Sequence, residues 1–364
     1  MKQIKTKLRD VATLENLVSA EARASKGHGR RRDILRFEDN LYYNLYVIQW
    51  ALLTGHYHPS NYRKFEVTDP KRRIVLALPY CDRIVQQFYV EEIIKPYFLP
   101  RFIDDTYSCL PGRGIHAATS RLQRMMRSMR QRYGHYYVCK MDVSKFFYNI
   151  DKDILCRYLT RRMVDPDLQS LTRCIIYDGH IKKQIKRDIR EYNNSYVGNS
   201  DAGVPIGNYT SQYFANIYLS QLDSFCKFDL RIKKYVRYMD DFIMLAPNKE
   251  VAREWSRTVR DFLWNKLRLK LNPKSCYYPA NRGADFAGFI IHEDYMKLRD
   301  RSKQRINKII HDYDSGLYSD KEFAAHVAAW NGHAMHADSY RYRVKKLGDY
   351  CEILDFDKLL RSPW

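Results

Sequence analysis

No uninterrupted apolar run in the sequence reaches the ~20 residues that a membrane-spanning helix needs, so a helical membrane protein is not expected. The N-terminal stretch MKQIKTKLRDVATLENLVSAEARASKGHGRRR is charged throughout and lacks the apolar core of a signal peptide, which makes a cytoplasmic location the expectation. The eight cysteines (Cys81, Cys109, Cys139, Cys156, Cys174, Cys226, Cys276, Cys351) include no CxxC pair, which argues against a zinc site and against a disulfide framework. His333 and His336 have no cysteine or carboxylate companions at ligand spacing and are expected in the polar core or on nucleic acid. Acidic residues are scarce beside basic ones, 42 against 63, for a net charge of +21 and a pI near 9.5. Such a surplus points to a polyanion, and with 30 tyrosines and 16 phenylalanines available for stacking, nucleic acid fits better than a membrane surface. At 364 residues and 45% apolar content the chain can bury a sizeable core in two or three subdomains.

The stretch KYVRYMDDFIML, Lys234 to Leu245, reads as two short strands, Tyr235 to Tyr238 and Phe242 to Leu245, meeting at a Met-Asp-Asp turn. Two ionised groups, Asp240 and Asp241, at the tip of a buried hairpin are costly unless a cation neutralises them. Hard oxygen ligands suit Mg²⁺ or Mn²⁺ and leave room for water and phosphate. An Asp-Asp pair alone is more often an exposed acidic turn. The tetrad Tyr238-Met239-Asp240-Asp241 with its apolar flanks, however, resembles the catalytic hairpin of reverse transcriptases. That resemblance implies that Tyr238 and Met239 touch nucleic acid.

Other segments carry the same resemblance. In YYVCKMDVSKFFYNI a buried strand from Tyr136 to Met141 ends at Asp142, a third carboxylate of the kind a two-metal site requires. The segment is similar to the first palm motif of reverse transcriptases, which implies that Asp142 bridges two ions with help from the Val143 carbonyl. It also implies that Phe147 lies under the sugar and excludes a 2′-hydroxyl. In FEVTDPKRRIVLALPYCDRIVQQ a basic turn leads into a strand, Ile74 to Leu78, then a helix capped by Asp82 and running to about Ile94. The resemblance gives Lys71 and Arg73 the phosphate-gripping positions over an incoming nucleotide. Residues 203–223, GVPIGNYTSQYFANIYLSQLD, are expected to form a glycine-containing loop and a long amphipathic helix from about Asn208 to Phe228, whose N-terminus can approach a nucleotide. Most reverse transcriptases read Gln-Gly where this chain has Ile206-Gly207. The order IGNYTSQ instead resembles the reverse transcriptases of diversity-generating retroelements, which copy RNA with frequent errors at adenines.

Further contacts follow from the same family likeness: Lys274 near the leaving pyrophosphate, Ala287-Gly288 at a primer-grip hairpin, and Arg301, Lys303 and Arg305 on a thumb along the duplex. The Gly112-Arg113-Gly114 turn offers Arg113 to template backbone, and the helix after it, Ile115 to Arg132, is amphipathic, with Leu122, Met125, Met126 and Met129 between the arginines of a cationic face. Asp104-Asp105 has no strand-turn-strand setting and reads as structural. The basic break at 26–32 is equally a phosphate-binding loop or a solvated one.

The expected fold is α+β, a right-hand polymerase with fingers, a palm of antiparallel sheet backed by helices, and a short helical thumb. Residues 1–134 would form an N-terminal helical region and fingers, 135–297 a palm with an insertion at about 160–200, and 298–364 the thumb. No maturase or nuclease domain is expected after it. The expected activity is RNA-directed DNA synthesis with two Mg²⁺ (or Mn²⁺) ions held by Asp142, Asp240 and Asp241. Partners would be template RNA, cDNA, deoxynucleoside triphosphates and a small basic helical accessory protein. A retron, group II intron or phage-defence reverse transcriptase and a catalytically silent RNA-binding scaffold stay open beside it.

Overall fold

The computed structural model describes residues 3–68, 72–177 and 202–355. Lys71, the basic stretch at 181–187 and the polar loop at 193–200 lie outside the described residues. The chain divides into two compact units, one of Met1–Asp104, Val143–Phe225 and Val259–Pro273, the other of Asp105–Asp142, Cys226–Thr258 and Lys274–Trp364.

The first unit is helical with one β-ribbon. Thr13 caps the Leu14–Ser25 helix by accepting from the Asn16 amide, and Leu17 and Ala20 carry its buried face against the Tyr80–Tyr89 helix. The ribbon pairs β1 (Arg63–Val67) with β2 (Arg73–Ala77), with Val67 opposite Arg73 at its closed end. Pro79, whose fixed φ suits a helix start, stands at the N-cap of the Tyr80–Tyr89 helix. Asp82 is therefore not the expected cap: its buried carboxylate accepts from the Tyr57 hydroxyl at 3.0 Å and the Ser60 amide at 3.2 Å. The Tyr209–Ser224 helix is not the amphipathic helix expected here: it is buried on most of its surface, polar residues such as Asn216 and Asp223 included.

The second unit is built on a four-stranded antiparallel sheet in the order β4-β5-β3-β6, with β3 Tyr137–Asp142, β4 Tyr235–Tyr238, β5 Asp241–Ala246 and β6 Cys276–Pro279. One face sends Val138, Val236, Ile243 and Leu245 into a core shared with Leu122, Met125, Met126 and Met129 of the Ile115–Tyr133 helix. A smaller sheet, β7 (Ala284–Phe286), β8 (Phe289–Ile291) and β9 (Met296–Leu298), joins the same core through Phe286 and Phe289. Three helices follow, Asp300–Asp314, Asp320–Ala334 and Tyr340–Leu347. The second opens on a Ser319/Glu322 capping box and buries Phe323, Val327 and Trp330. No described helix is long and apolar enough to cross a membrane.

Candidate active site

Antiparallel register sets the core of the site. Asp142, the last residue of β3, lies directly opposite Asp241, the first of β5. Partners in such a pair have Cα atoms ~4.5–5.5 Å apart and side chains on one face. Asp241 also pairs with Tyr238, so the connection has two residues, Met239 and Asp240. The expected Met-Asp-Asp turn is thus one residue shorter, and only Asp240 stands in the loop.

Met239 holds φ +56°. A positive φ at this position suits the twist of a two-residue hairpin, but outside glycine it costs on the order of 1–2 kcal/mol. A buried arginine holds it there. Arg237 is 0% exposed and its Nη1 donates to the Met239 carbonyl at 2.8 Å. The Arg237 amide donates to the Asp105 carbonyl at 2.9 Å, and the Tyr107 amide donates to the Arg237 carbonyl at 3.0 Å. The Asp105 carboxylate, itself buried, accepts from Arg121 Nε at 2.9 Å and Lys227 Nζ at 2.6 Å. Asp105 therefore anchors the segment that holds the turn. Sequence reading passed over Arg237, although an arginine inside an apolar strand beside an acidic turn was a signal. Asp105→Ala would remove the buried carboxylate that Arg121 and the mostly buried Lys227 share. It is expected to lower unfolding free energy by about 3–5 kcal/mol in urea denaturation.

Asp241 is the electrostatic focus. Burial pushes its carboxyl up to about 7, Lys140 opposes that rise, Asp142 adds to it, Arg299 opposes it and Asp240 adds to it. Its Oδ1 is buried and accepts no hydrogen bond among the described residues. A hard cation would satisfy that oxygen and relieve the repulsion among the three carboxylates. The group fits the donor set. Among the described residues no three His, Cys, Asp or Glu side chains form a ready-made metal cluster. Neighbouring carboxylates of this kind suit an ion that keeps water and phosphate oxygens among its ligands. The end of β3 is pinned by Ser275, whose Oγ accepts from the Asp142 amide at 3.1 Å and donates to its carbonyl at 3.2 Å.

The first unit gathers several residues expected at the nucleotide. Val143 is buried and bridges to Leu271. Phe147 is half-buried in the short Phe146–Asn149 helix, and its carbonyl accepts from the Val204 amide at 2.8 Å. Two residues on, the Ile206 carbonyl accepts from the Leu76 amide of β2 at 2.8 Å. Gly207, at φ +119°, sits so close to β2 that a Cβ would meet Val75 Cγ1 at 2.7 Å and the Leu76 carbonyl oxygen at 2.9 Å. Arg73 is exposed at the start of β2.

In the second unit Lys274 is exposed, and Arg113 Nη1 donates to the Thr106 carbonyl at 3.1 Å. Ala287 and Gly288, at φ +48° and +99°, make the β7–β8 turn. A Cβ on Gly288 would meet the His333 ring at 2.8 Å, so the small residue expected to admit a primer also makes room for a histidine. Arg301, Lys303 and Arg305 lie in the first turns of the Asp300–Asp314 helix, Lys303 paired with Asp300 at 3.0 Å.

A family model described as reverse transcriptase (RNA-dependent DNA polymerase) matches residues 65–291. Protein YkfC of Escherichia coli (strain K12) is 24% identical over 279 residues, covering 67% of this chain and 70% of that protein. The group II intron-encoded protein LtrA of Lactococcus lactis subsp. cremoris is 22% identical over 311 residues, covering 67% of this chain but 49% of LtrA. The chain thus spans about half the length of that relative. Among solved structures, telomerase from Candida albicans in complex with a telomeric RNA fragment superposes with a TM-score of 0.50 at 12% identity, over 87% of this chain and 62% of that one. Apo telomerase from Candida tropicalis gives 0.50 at 11% identity, over 83% and 61%. At these identities the likeness is one of fold, a right-hand polymerase of mixed helix and antiparallel sheet.

Proposed function

Because the chain belongs to the reverse transcriptase (RNA-dependent DNA polymerase) family, we propose that it synthesises cDNA on an RNA template and serves a diversity-generating retroelement. The observation that carries the polymerase reading is the pairing of Asp142 with Asp241 beside Asp240, with a buried carboxylate oxygen left for a cation.

In this reading Asp142, Asp240, Asp241 and the Val143 carbonyl hold two Mg²⁺ ions, Mn²⁺ being an acceptable substitute. Ions held there would supply acidification of a primer 3′-hydroxyl and neutralisation of charge on the α-phosphate and leaving group. Lys71 and Arg73 grip the triphosphate and Lys274 faces the departing pyrophosphate. Phe147 excludes ribonucleotides by occupying the space a 2′-hydroxyl needs. Arg113, Tyr238, Met239, Ala287, Gly288, Arg301, Lys303 and Arg305 hold template and primer. Fingers, palm and thumb fall at 1–134, 135–297 and 298–364. Extension of a DNA primer on RNA with deoxynucleotides, and not with ribonucleotides, is the expected result; RNA binding without extension would leave only a scaffold.

The retroelement reading rests on Ile206. An amide there could hydrogen-bond the nascent pair, and isoleucine cannot. Mispairs differ little in energy from correct pairs, so a site that grips less firmly discriminates less. Ile206→Gln is expected to lower misincorporation opposite adenine by about tenfold, worth ~1.4 kcal/mol of discrimination. Sequencing of the cDNA checks it, and an unchanged error spectrum removes this explanation. The similarity to LtrA favours a group II intron-type enzyme as the second reading. It predicts a low error rate at adenine in wild type and in Ile206→Gln alike. A small basic helical accessory protein belongs to the first reading alone.

A further inference from the structure

The face of the sheet that carries Asp142 and Asp241 also carries a lysine. Lys140 precedes Asp142 by two residues on β3, so both side chains leave the strand on the same face, and Asp241 shares it through its pairing with Asp142. A lysine ammonium is a compact charge on a flexible stem, and one tethered this close competes with any divalent ion for the same oxygens.

Lys140 is held elsewhere. Its Nζ is ion-paired with Asp285 Oδ2, and Arg299 Nε is ion-paired with the other oxygen of the same carboxylate. Asp285 sits in β7, flanked by the buried Ala284 and Phe286, and its amide donates to the Tyr278 hydroxyl at 3.3 Å. The carboxylate is therefore fixed by its neighbours rather than free to follow the lysine.

We propose that Asp285 is a positioning residue that draws Lys140 away from Asp142, Asp240 and Asp241, so that the lysine does not fill the seat a divalent cation needs. The proposal rests on the divalent-ion reading above. Without Asp285, Lys140 would swing to the catalytic carboxylates as an internal counter-ion. The cation would then have to displace it.

Mn²⁺ binding to the full chain, without nucleic acid or nucleotide, tests this through the electron paramagnetic resonance signal of the free ion. Asp285→Asn is expected to weaken binding by about tenfold or more, and Asp285→Asn combined with Lys140→Met to restore it to within about twofold of wild type. Equal binding by Asp285→Asn and wild type would overturn the proposal. So would a loss that Lys140→Met fails to repair, since Asp285 would then be a structural support only. Should Asp285→Asn not fold, Lys140→Met alone decides: binding equal or tighter supports the proposal, and weaker binding overturns it. A wild-type chain with no saturable Mn²⁺ site would remove the polymerase reading together with this one. Saturable binding that ignores Asp285→Asn removes this one alone.

Discussion

Replacing Asp240 or Asp241 with asparagine is expected to reduce primer extension on RNA by at least about 10³-fold, a barrier increase of roughly 4 kcal/mol. RNA affinity should change by less than about twofold, because the basic surface that attracts phosphate is untouched. Asparagine keeps the shape of the side chain and removes one negative charge from the set. Asp241→Asn allows a sharper separation of function from folding. Burial raises the Asp241 carboxyl to about 7, so in the fold its ionisation is disfavoured. The sign follows from linkage. A carboxyl raised in the fold favours folding at low pH, and that contribution is lost as pH rises from the ordinary aspartate range through about 7. In EDTA at pH 8 the asparagine variant should therefore melt no lower than wild type. Equal loss of synthesis and of RNA binding, or a lower melting temperature, would count against the assignment of these two residues.

Gly207→Ala is the second large effect. The backbone at φ +119° strains any side chain, and the added methyl would sit 2.7 Å from Val75 Cγ1 and 2.9 Å from the Leu76 carbonyl oxygen. Backbone cannot yield as a flexible side chain can, so the loop must leave β2 and the Leu76-to-Ile206 hydrogen bond must break. The apparent KM for deoxynucleotide is expected to rise by about tenfold or more, a misplacement effect, with a drop in stability of about 2 kcal/mol. Gly332→Ala is the control. That glycine lies in the Asp320–Ala334 helix with open space around its Cα, and alanine there should stabilise by up to about 1 kcal/mol. Steady-state kinetics and thermal melts of the two variants, side by side, check both statements.

Much of this architecture was readable from periodicity. The short apolar runs from Tyr235 to Leu245 and the run ending at Asp142 located the central strands to within a residue, because strands buried on both faces stand out as apolar segments bounded by polar turns. The stripe Leu122, Met125, Met126 and Met129 likewise gave the buried side of its helix. What stayed hidden depends on partners distant in sequence. Asp82 sits where a cap belongs by local rules, yet Tyr57 and Ser60 claim its oxygens. Gly288 also makes room for the His333 ring from a later helix, a packing demand that its own segment does not show. Asp105 is unremarkable in its own segment, and Arg237, though out of place in an apolar strand, takes its role only once the two segments meet.

That meeting bears on how the protein acquires its activity. The Met239–Asp240 turn owes its shape to a guanidinium whose own strand is secured by the main chain at Asp105 and Tyr107. Loop closure over so long an intervening stretch comes late when a chain folds, after local helices and hairpins. The reactive loop would then be among the last parts to take form, and an excised hairpin would not keep it. Local loosening around Asp105 could switch synthesis off while the sheet itself stayed folded.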